Sequence, residues 1–227
     1  MLSVVSHDLR NPLSVILVSA RLLSRTLRDD PGAMRQLDAV TRAADEINRM
    51  IQDLVDAQHI ERGSFEVARE AQRIDDVIHR ALTAAEPLCA RKEVELRREL
   101  ESELPSLLGD GERLVQCVSA LLDNAIKFTP KGGHITVRVR RGEGELHLSV
   151  TDDGPGVPPE QQPRIFSRES HQVRPVQQGV GLSMFVAKGV VEAHGGRVWA
   201  ESAVGSGCTF HAVLPYGEAE AAARRAG

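Results

Sequence analysis

Apolar residues in the first sixty positions recur with a helical period. Leu9, Leu13, Ile16, Ala20, Leu23 and Leu27 follow one another at steps of four, three, four, three and four. The pattern stops at Asp29, Asp30, Pro31 and Gly32, then resumes at Leu37, Val40, Ala44, Ile47, Ile51 and Leu54. Such spacing puts one apolar stripe on each of two helices, and the Pro-Gly break predicts the turn of an antiparallel hairpin. Two helices bury too little surface to stand alone. The hairpin therefore predicts a partner, either a second copy completing a dimeric four-helix bundle about a two-fold axis or the rest of its own chain.

From about residue 63 the pattern changes. Short strands are predicted at 65–67 and 94–96, a helix at 74–82, and a strong helix at 111–128 that ends at Thr129, Pro130, Gly132 and Gly133. Strict alternation at 135–139 and 146–150, on either side of a Gly-Glu-Gly turn, predicts a β-hairpin. A further helix near 182–194 and strands near 197–201 and 208–214 complete the reading. Helices interspersed with antiparallel strands predict an α/β two-layer sandwich, a mixed sheet with helices over one face. The expected division is a helical domain over 1–60, a sandwich over 61–217, and a charged, alanine-rich tail over 218–227 that frays.

Composition narrows the classes. Of 227 residues, 41% are hydrophobic and 26% charged, which argues against disorder along most of the length. The net charge of -4 gives no general attraction to nucleic acid or anionic lipid. No apolar run approaches the roughly 18 residues of a membrane span, and the first residues lack the apolar block of a signal peptide. Cys89, Cys117 and Cys208 are odd in number and widely spaced, so they form neither a zinc pattern nor a disulfide framework. A reducing, cytoplasmic setting is expected for this stretch of chain. Aromatic residues are only 3%, so the core must be built from Leu, Val, Ile and Ala.

Four polar groupings carry candidate chemistry. Asp152 ends a predicted strand and is followed by Asp153, Gly154, Pro155 and Gly156. A carboxylate fixed beside closely approaching backbone can accept a hydrogen bond from an amino group such as the exocyclic amine of adenine; the alternative is an ordinary turn. Gly179, Gly181 and Leu182 precede a helix, where free N–H groups converge on phosphate. Gly205 and Gly207 form a turn into the strand of Thr209 and Phe210. No Gly-Lys-Ser/Thr loop and no Rossmann fingerprint occur. Asn124, inside the helix at 111–128, offers an amide oxygen suited to a hard cation such as Mg2+, and Lys127 lies three residues on, within reach of phosphate. The plain alternatives are a polar helix edge and a solvated charge. His7 points away from the apolar stripe, with Asp8 beside it to take up one ring N–H and Asn11 four residues on. Pro12 predicts a kink next to them.

Taken together, these groupings resemble the catalytic core of a sensor histidine kinase of bacterial two-component signalling, over nearly the whole chain and in the family's order. Ser6, His7, Asp8, Leu9, Arg10, Asn11, Pro12 and Leu13 resemble its phosphoacceptor box, which implies His7 as the phosphorylated residue, Asp8 as its acidic partner and Asn11 as the polar residue used in dephosphorylation. The stretch from Asp110 through Arg113 and Gln116 to Asn124, Lys127 and Phe128 is similar to the N box, implying Asn124 as the Mg2+ ligand and Lys127 as a nucleotide contact. Asp152, Gly154 and Gly156 match the G1 box, with Asp152 on adenine. Arg164, Ile165 and Phe166 resemble the F box at the start of the ATP lid. Gly179, Gly181 and Leu182 match the G2 box, and Gly205, Gly207 and Thr209 the G3 box. The resemblance implies the gyrase, Hsp90 and MutL type of ATP-binding sandwich, ATP and Mg2+ as cofactors, a homodimer, and the receiver domain of a response regulator as partner. It also implies a sensor domain upstream, absent from this chain, and possible membrane association of a longer protein. The sequence departs from the family at Ala120, Glu169 and Gln177. A catalytically impaired relative, acting as a regulator-binding or phosphotransfer dimer, is the alternative.

Overall fold

In the computed structural model the backbone is described for residues 2–168 and 181–216, and side chains for those residues except 2–8 and 10. The expected tail at 218–227 lies outside the described residues. Two long helices come first, α1 (Leu2–Thr26) and α2 (Pro31–Glu61). The Asp30 carboxylate accepts from the N–H groups of Gly32 (2.8 Å) and Ala33 (3.1 Å), and Pro31 occupies the first helical position where its missing N–H costs nothing. That cap is worth about 1 kcal/mol. α1 continues through Pro12 without interruption.

The rest of the chain forms β1 (Glu70–Arg73), α3 (Ile74–Lys92), β2 (Glu95–Leu100), β3 (Ser106–Gly109), α4 (Gly111–Phe128), β4 (His134–Arg141), β5 (Glu145–Asp152), α5 (Ser183–Ala193), β6 (Arg197–Ser202) and β7 (Cys208–Pro215). Five strands make one sheet in the order β2-β4-β5-β7-β6, parallel between β2 and β4 and antiparallel elsewhere; β1 and β3 pair separately. The sheet is therefore mixed. Its inward residues, among them Ile135, Val137, Val139 and Val150, are fully buried with Leu121, Leu122 and Ala125 of α4 and Val190 and Val191 of α5.

Several boundaries differ from the sequence reading. Residues 65–67 form no strand; the first strand is β1, four charged or polar-rich residues held by pairing to β3. The helix expected at 74–82 runs on to Lys92, past Pro87, and the strand expected at 94–96 extends to Leu100. β3 was not foreseen.

The hairpin uses only half of its apolar stripe internally. Leu13, Ala20, Ala44 and Ile51 are buried, whereas Leu9, Ile16, Leu23, Val40 and Ile47 remain 45–50% exposed.

Candidate functional site

The end of α4 and the loops after β5 and β6 meet at one edge of the sandwich. β5 delivers Asp152 to the helix-covered side, where it is 3% exposed and its Oδ1 accepts the N–H of Gly154 at 2.8 Å. A Cβ at Gly154 would sit 2.5 Å from that same oxygen and 3.2 Å from the carbonyl oxygen of Phe128, so the loop after β5 touches the last turn of α4. Gly156 has φ +71, and a Cβ there would lie 2.0 Å from the Ala203 carbonyl oxygen. Gly205 donates to the Pro155 carbonyl at 2.8 Å. Ser202 Oγ accepts from Val157 N–H (2.9 Å) and donates to the Gly207 carbonyl (2.6 Å), while Gln162 Nε2 donates to the carbonyls of Val157 and Ser202. The two glycine turns are stapled into one rigid wall.

On α4, Asn124 is half-buried and its side chain makes no hydrogen bond to another described residue; Lys127 is exposed, with its Nζ 5.5 Å from the ring centre of Phe128. Lys92 Nζ donates to the carbonyls of Ile126 (2.7 Å) and Lys127 (2.8 Å), fixing the last turn of α4 beside Asp152. Gly181 takes φ +69 and leads through the buried Leu182 into α5, whose first turn has no side-chain cap. Phe166 is 9% exposed and packs edge-on against Phe210 at 6.2 Å, anchoring the start of the segment that follows. Gly179, Glu169 and Gln177 lie outside the described residues.

Strand register sets Thr209 apart from the glycine turns it follows. Thr209 does not join Asp152: side chains alternate along a strand, and Thr209 stands opposite Thr151 on the uncovered face, their hydroxyls 3.1 Å apart. Cys208 is the residue paired with Asp152, buried at 4%. Asp153 is occupied elsewhere, accepting the backbone N–H of His134 at 2.8 Å and lying 2.8 Å from its Nδ1. Ala120 is buried in the core cluster.

In the hairpin, positions 7 and 8 lie on α1, but the side chains of His7 and Asp8 are outside the described residues. Asn11 is exposed. At 3.6 residues per turn, positions 7, 11, 15, 18 and 22 share the side of α1 opposite Leu13 and Ala20. Val15, Val18 and Leu22 on that side are 54–65% exposed.

Sequence reasoning assigned no role to the seam between hairpin and sandwich. Asp56 of α2 is 1% exposed and accepts from Arg113 Nη1 (2.6 Å), Gln116 Nε2 (2.9 Å) and Gln52 Nε2 (2.8 Å). Asp56 lies off the apolar stripe of α2, so nothing in the local pattern marks it as buried.

Two family models divide the chain between them. The "His Kinase A (phospho-acceptor) domain" matches residues 1–63, and "Histidine kinase-, DNA gyrase B-, and HSP90-like ATPase" matches residues 109–218. A solved mycobacterial sensor histidine kinase, MprB, is 31% identical, with 98% of its chain and 66% of this one covered at a TM-score of 0.57. The chain belongs to the histidine kinase family. Among full-length relatives, the sensor protein DivL of Caulobacter vibrioides is 36% identical over 93% of this chain and 27% of its own. The adaptive-response sensory kinase SasA of Synechococcus elongatus is 31% identical over 95% of this chain and 58% of its own. The chain thus spans about a quarter to just over half of the length of these relatives. The crystal structure of full-length ShkA in complex with AMPPNP superposes on 95% of this chain and 45% of that one, with a TM-score of 0.74 and 27% identity.

Proposed function

We propose that the chain is an ATP-dependent protein histidine kinase that phosphorylates itself on His7 and passes the phosphoryl group to an aspartate of a response regulator. The observation that carries this reading is the convergence of Asp152, the Gly154–Gly156 and Gly205–Gly207 turns and the Asn124 end of α4 on one edge, in a chain whose first helix bears His7 beside Asp8.

Asp152 would accept the exocyclic amine of adenine, because burial and the Gly154 N–H hold its carboxylate still. Asn124 fits a hard cation, since the residue is half-buried and its side-chain amide is not engaged by another described residue. Among the described residues no group of three His, Cys, Asp or Glu side chains can hold a metal, so protein and phosphate oxygens would share the Mg2+. When bound, Mg2+ neutralises phosphate charge. Lys127 and the N–H groups from Gly181 into α5 would hold the phosphates, and the lid that the resemblance implies after Phe166 would close over them.

Phosphoryl transfer needs positioning and charge neutralisation more than covalent help. The ring nitrogen of His7 not hydrogen-bonded to Asp8 attacks the γ-phosphorus, the bond to the β,γ-bridging oxygen breaks, and ADP leaves. Asp8 compensates the positive ring that results. Asn11, on the same side of α1, would orient a water in the reverse, dephosphorylating direction. The exposed Val15, Val18 and Leu22 next to it fit the apolar face of a receiver domain. The half-used stripe of Leu9, Ile16, Leu23, Val40 and Ile47 fits a second copy of the hairpin, completing the four-helix bundle.

The test is incubation with γ-labelled ATP and Mg2+. Acid-labile, base-stable label should appear on the parent and vanish in His7→Ala, with binding of an ATP analogue retained. Label persisting in His7→Ala refutes His7 as acceptor, and receiver binding without any label favours the impaired relative.

A further inference from the structure

The seam between hairpin and sandwich has a definite register. Arg113 and Gln116 of α4 hold Asp56, Gln116 also reaches Asp53 (3.4 Å), and Asp123 pairs with Arg49 (3.2 Å). Rising numbers on α4 meet falling numbers on α2, so the two helices run antiparallel. Ile60 packs on α5, where a Cβ at Gly189 would sit 2.3 Å from its Cδ1. Glu61 pairs with Arg168 (2.5 Å), and Phe65 stacks on the Arg113 guanidinium at 5.1 Å.

That register decides which end of α4 stands near the phosphoacceptor. Leu13 and Ile51 share one buried cluster, so in an antiparallel hairpin position 7 lies at about the height of position 57. The Arg113 end of α4 is therefore level with His7. Asn124 and Lys127 lie eleven and fourteen residues further along, which at 1.5 Å per residue is roughly 16–21 Å down the bundle. In-line transfer needs reacting atoms about 3–3.5 Å apart. The observed pose holds the nucleotide edge away from His7.

We propose that Asp56, gripped by Arg113 and Gln116, is a positioning residue that latches the ATP-binding lobe in this resting pose, and that the latch must open before His7 is phosphorylated. This inference rests on the kinase reading above. The hinge would be Gly63, whose φ of +64 and open surroundings leave the chain free to turn between α2 and the sandwich. An ion pair formed with one partner almost fully buried is lost abruptly when one member is neutralised, because the other is then left uncompensated. The contact is thus suited to switch between two poses.

The experiment uses the full chain with spin labels on cysteines introduced at Asp38 and Glu143, both exposed; the native Cys89, Cys117 and Cys208 are buried. The parent should give one narrow distance distribution. Asp56→Asn should broaden and lengthen it and raise the rate of His7 labelling at least threefold, with KM for ATP unchanged. Exchanging the charges, Asp56→Arg with Arg113→Asp, should restore both readouts toward the parent. If Asp56→Asn does not fold, Gln116→Leu, which removes one hydrogen bond, should give the same changes in smaller measure. Unchanged distances in the folded variants, or slower labelling, overturn the latch. Distances that respond while no variant is ever labelled would keep the latch and remove the kinase reading.

Discussion

Gly207 and Gly205 occupy the same turn with nearly the same positive φ, +78 and +81, yet their surroundings differ. A Cβ at Gly207 would lie 1.8 Å from the carbonyl oxygen of Asp152, whereas nothing lies within 4 Å of one at Gly205. Gly205→Ala should therefore cost only backbone strain, about 1 kcal/mol, and Gly207→Ala at least about 3 kcal/mol together with loss of nucleotide binding. Chemical denaturation and titration with an ATP analogue read both effects, and equal losses at the two positions would contradict the argument. Asp152→Asn keeps an oxygen for the Gly154 N–H but removes the charge. It should weaken ATP at least about tenfold while the melting temperature stays within a few degrees. These residues were legible in the sequence because a strand-end Asp followed by glycines is a local signal. The face taken by position 209 was not, since it depends on strand register, and register moves a side chain from one face to the other with a single step. Asp56 was invisible for a related reason: its burial comes from a helix more than fifty residues away.

α4 joins the nucleotide edge to the rest of the lobe, and its start is pinned by a histidine. Buried His194, just past α5, lies 2.7 Å from the Val190 carbonyl through Nδ1, and its Nε2 accepts the Asp110 backbone N–H at 2.9 Å. Both contacts require a neutral ring with its proton on Nδ1. Burial pushes the His194 pKa below its ordinary 6.5, with Arg69 acting the same way and the Val190 carbonyl and Asp110 opposing. The folded state therefore binds fewer protons than the unfolded one, and stability should fall as pH drops below about 6.5. His194→Leu should cost about 2 kcal/mol near neutral pH and flatten that part of the acid limb, measured by denaturation at pH 5 and 7.5. α4 itself was fully legible, because Leu114, Val118, Leu121, Leu122 and Ala125 keep a wide apolar face between a capping Asp110 and the Thr129-Pro130 stop. β1 and β3 were not, since Glu-Ala-Gln-Arg has little strand preference and becomes a strand only through its partner. The continuation of α3 past Pro87 was hidden by a residue that usually ends a helix.

At the scale of the whole molecule, the seam that sets the pose of the lobe also carries a strongly displaced carboxyl group. Asp53 faces Asp56 and Arg49 on its own helix and Gln116 and Asp123 from α4. Burial pushes its pKa up to about 6, helped by the repulsion of Asp56 and Asp123 and opposed by the Gln116 hydrogen bond and by Arg49. When the lobe swings away, Asp53 returns toward the ordinary value of 3.8. The docked pose thus binds the proton more tightly, so docking is strengthened as pH falls through about 6 and weakened above it. Between pH 8 and pH 5 the ratio of docked to open molecules should rise up to about tenfold, and labelling of His7 should slow accordingly. Asp53→Asn should flatten most of that dependence. Distance distributions of the doubly labelled chain at the two pH values provide the check: identical populations in the parent would mean that proton uptake at Asp53 is not coupled to docking, whereas a shift that survives in Asp53→Asn would place the coupling at another group.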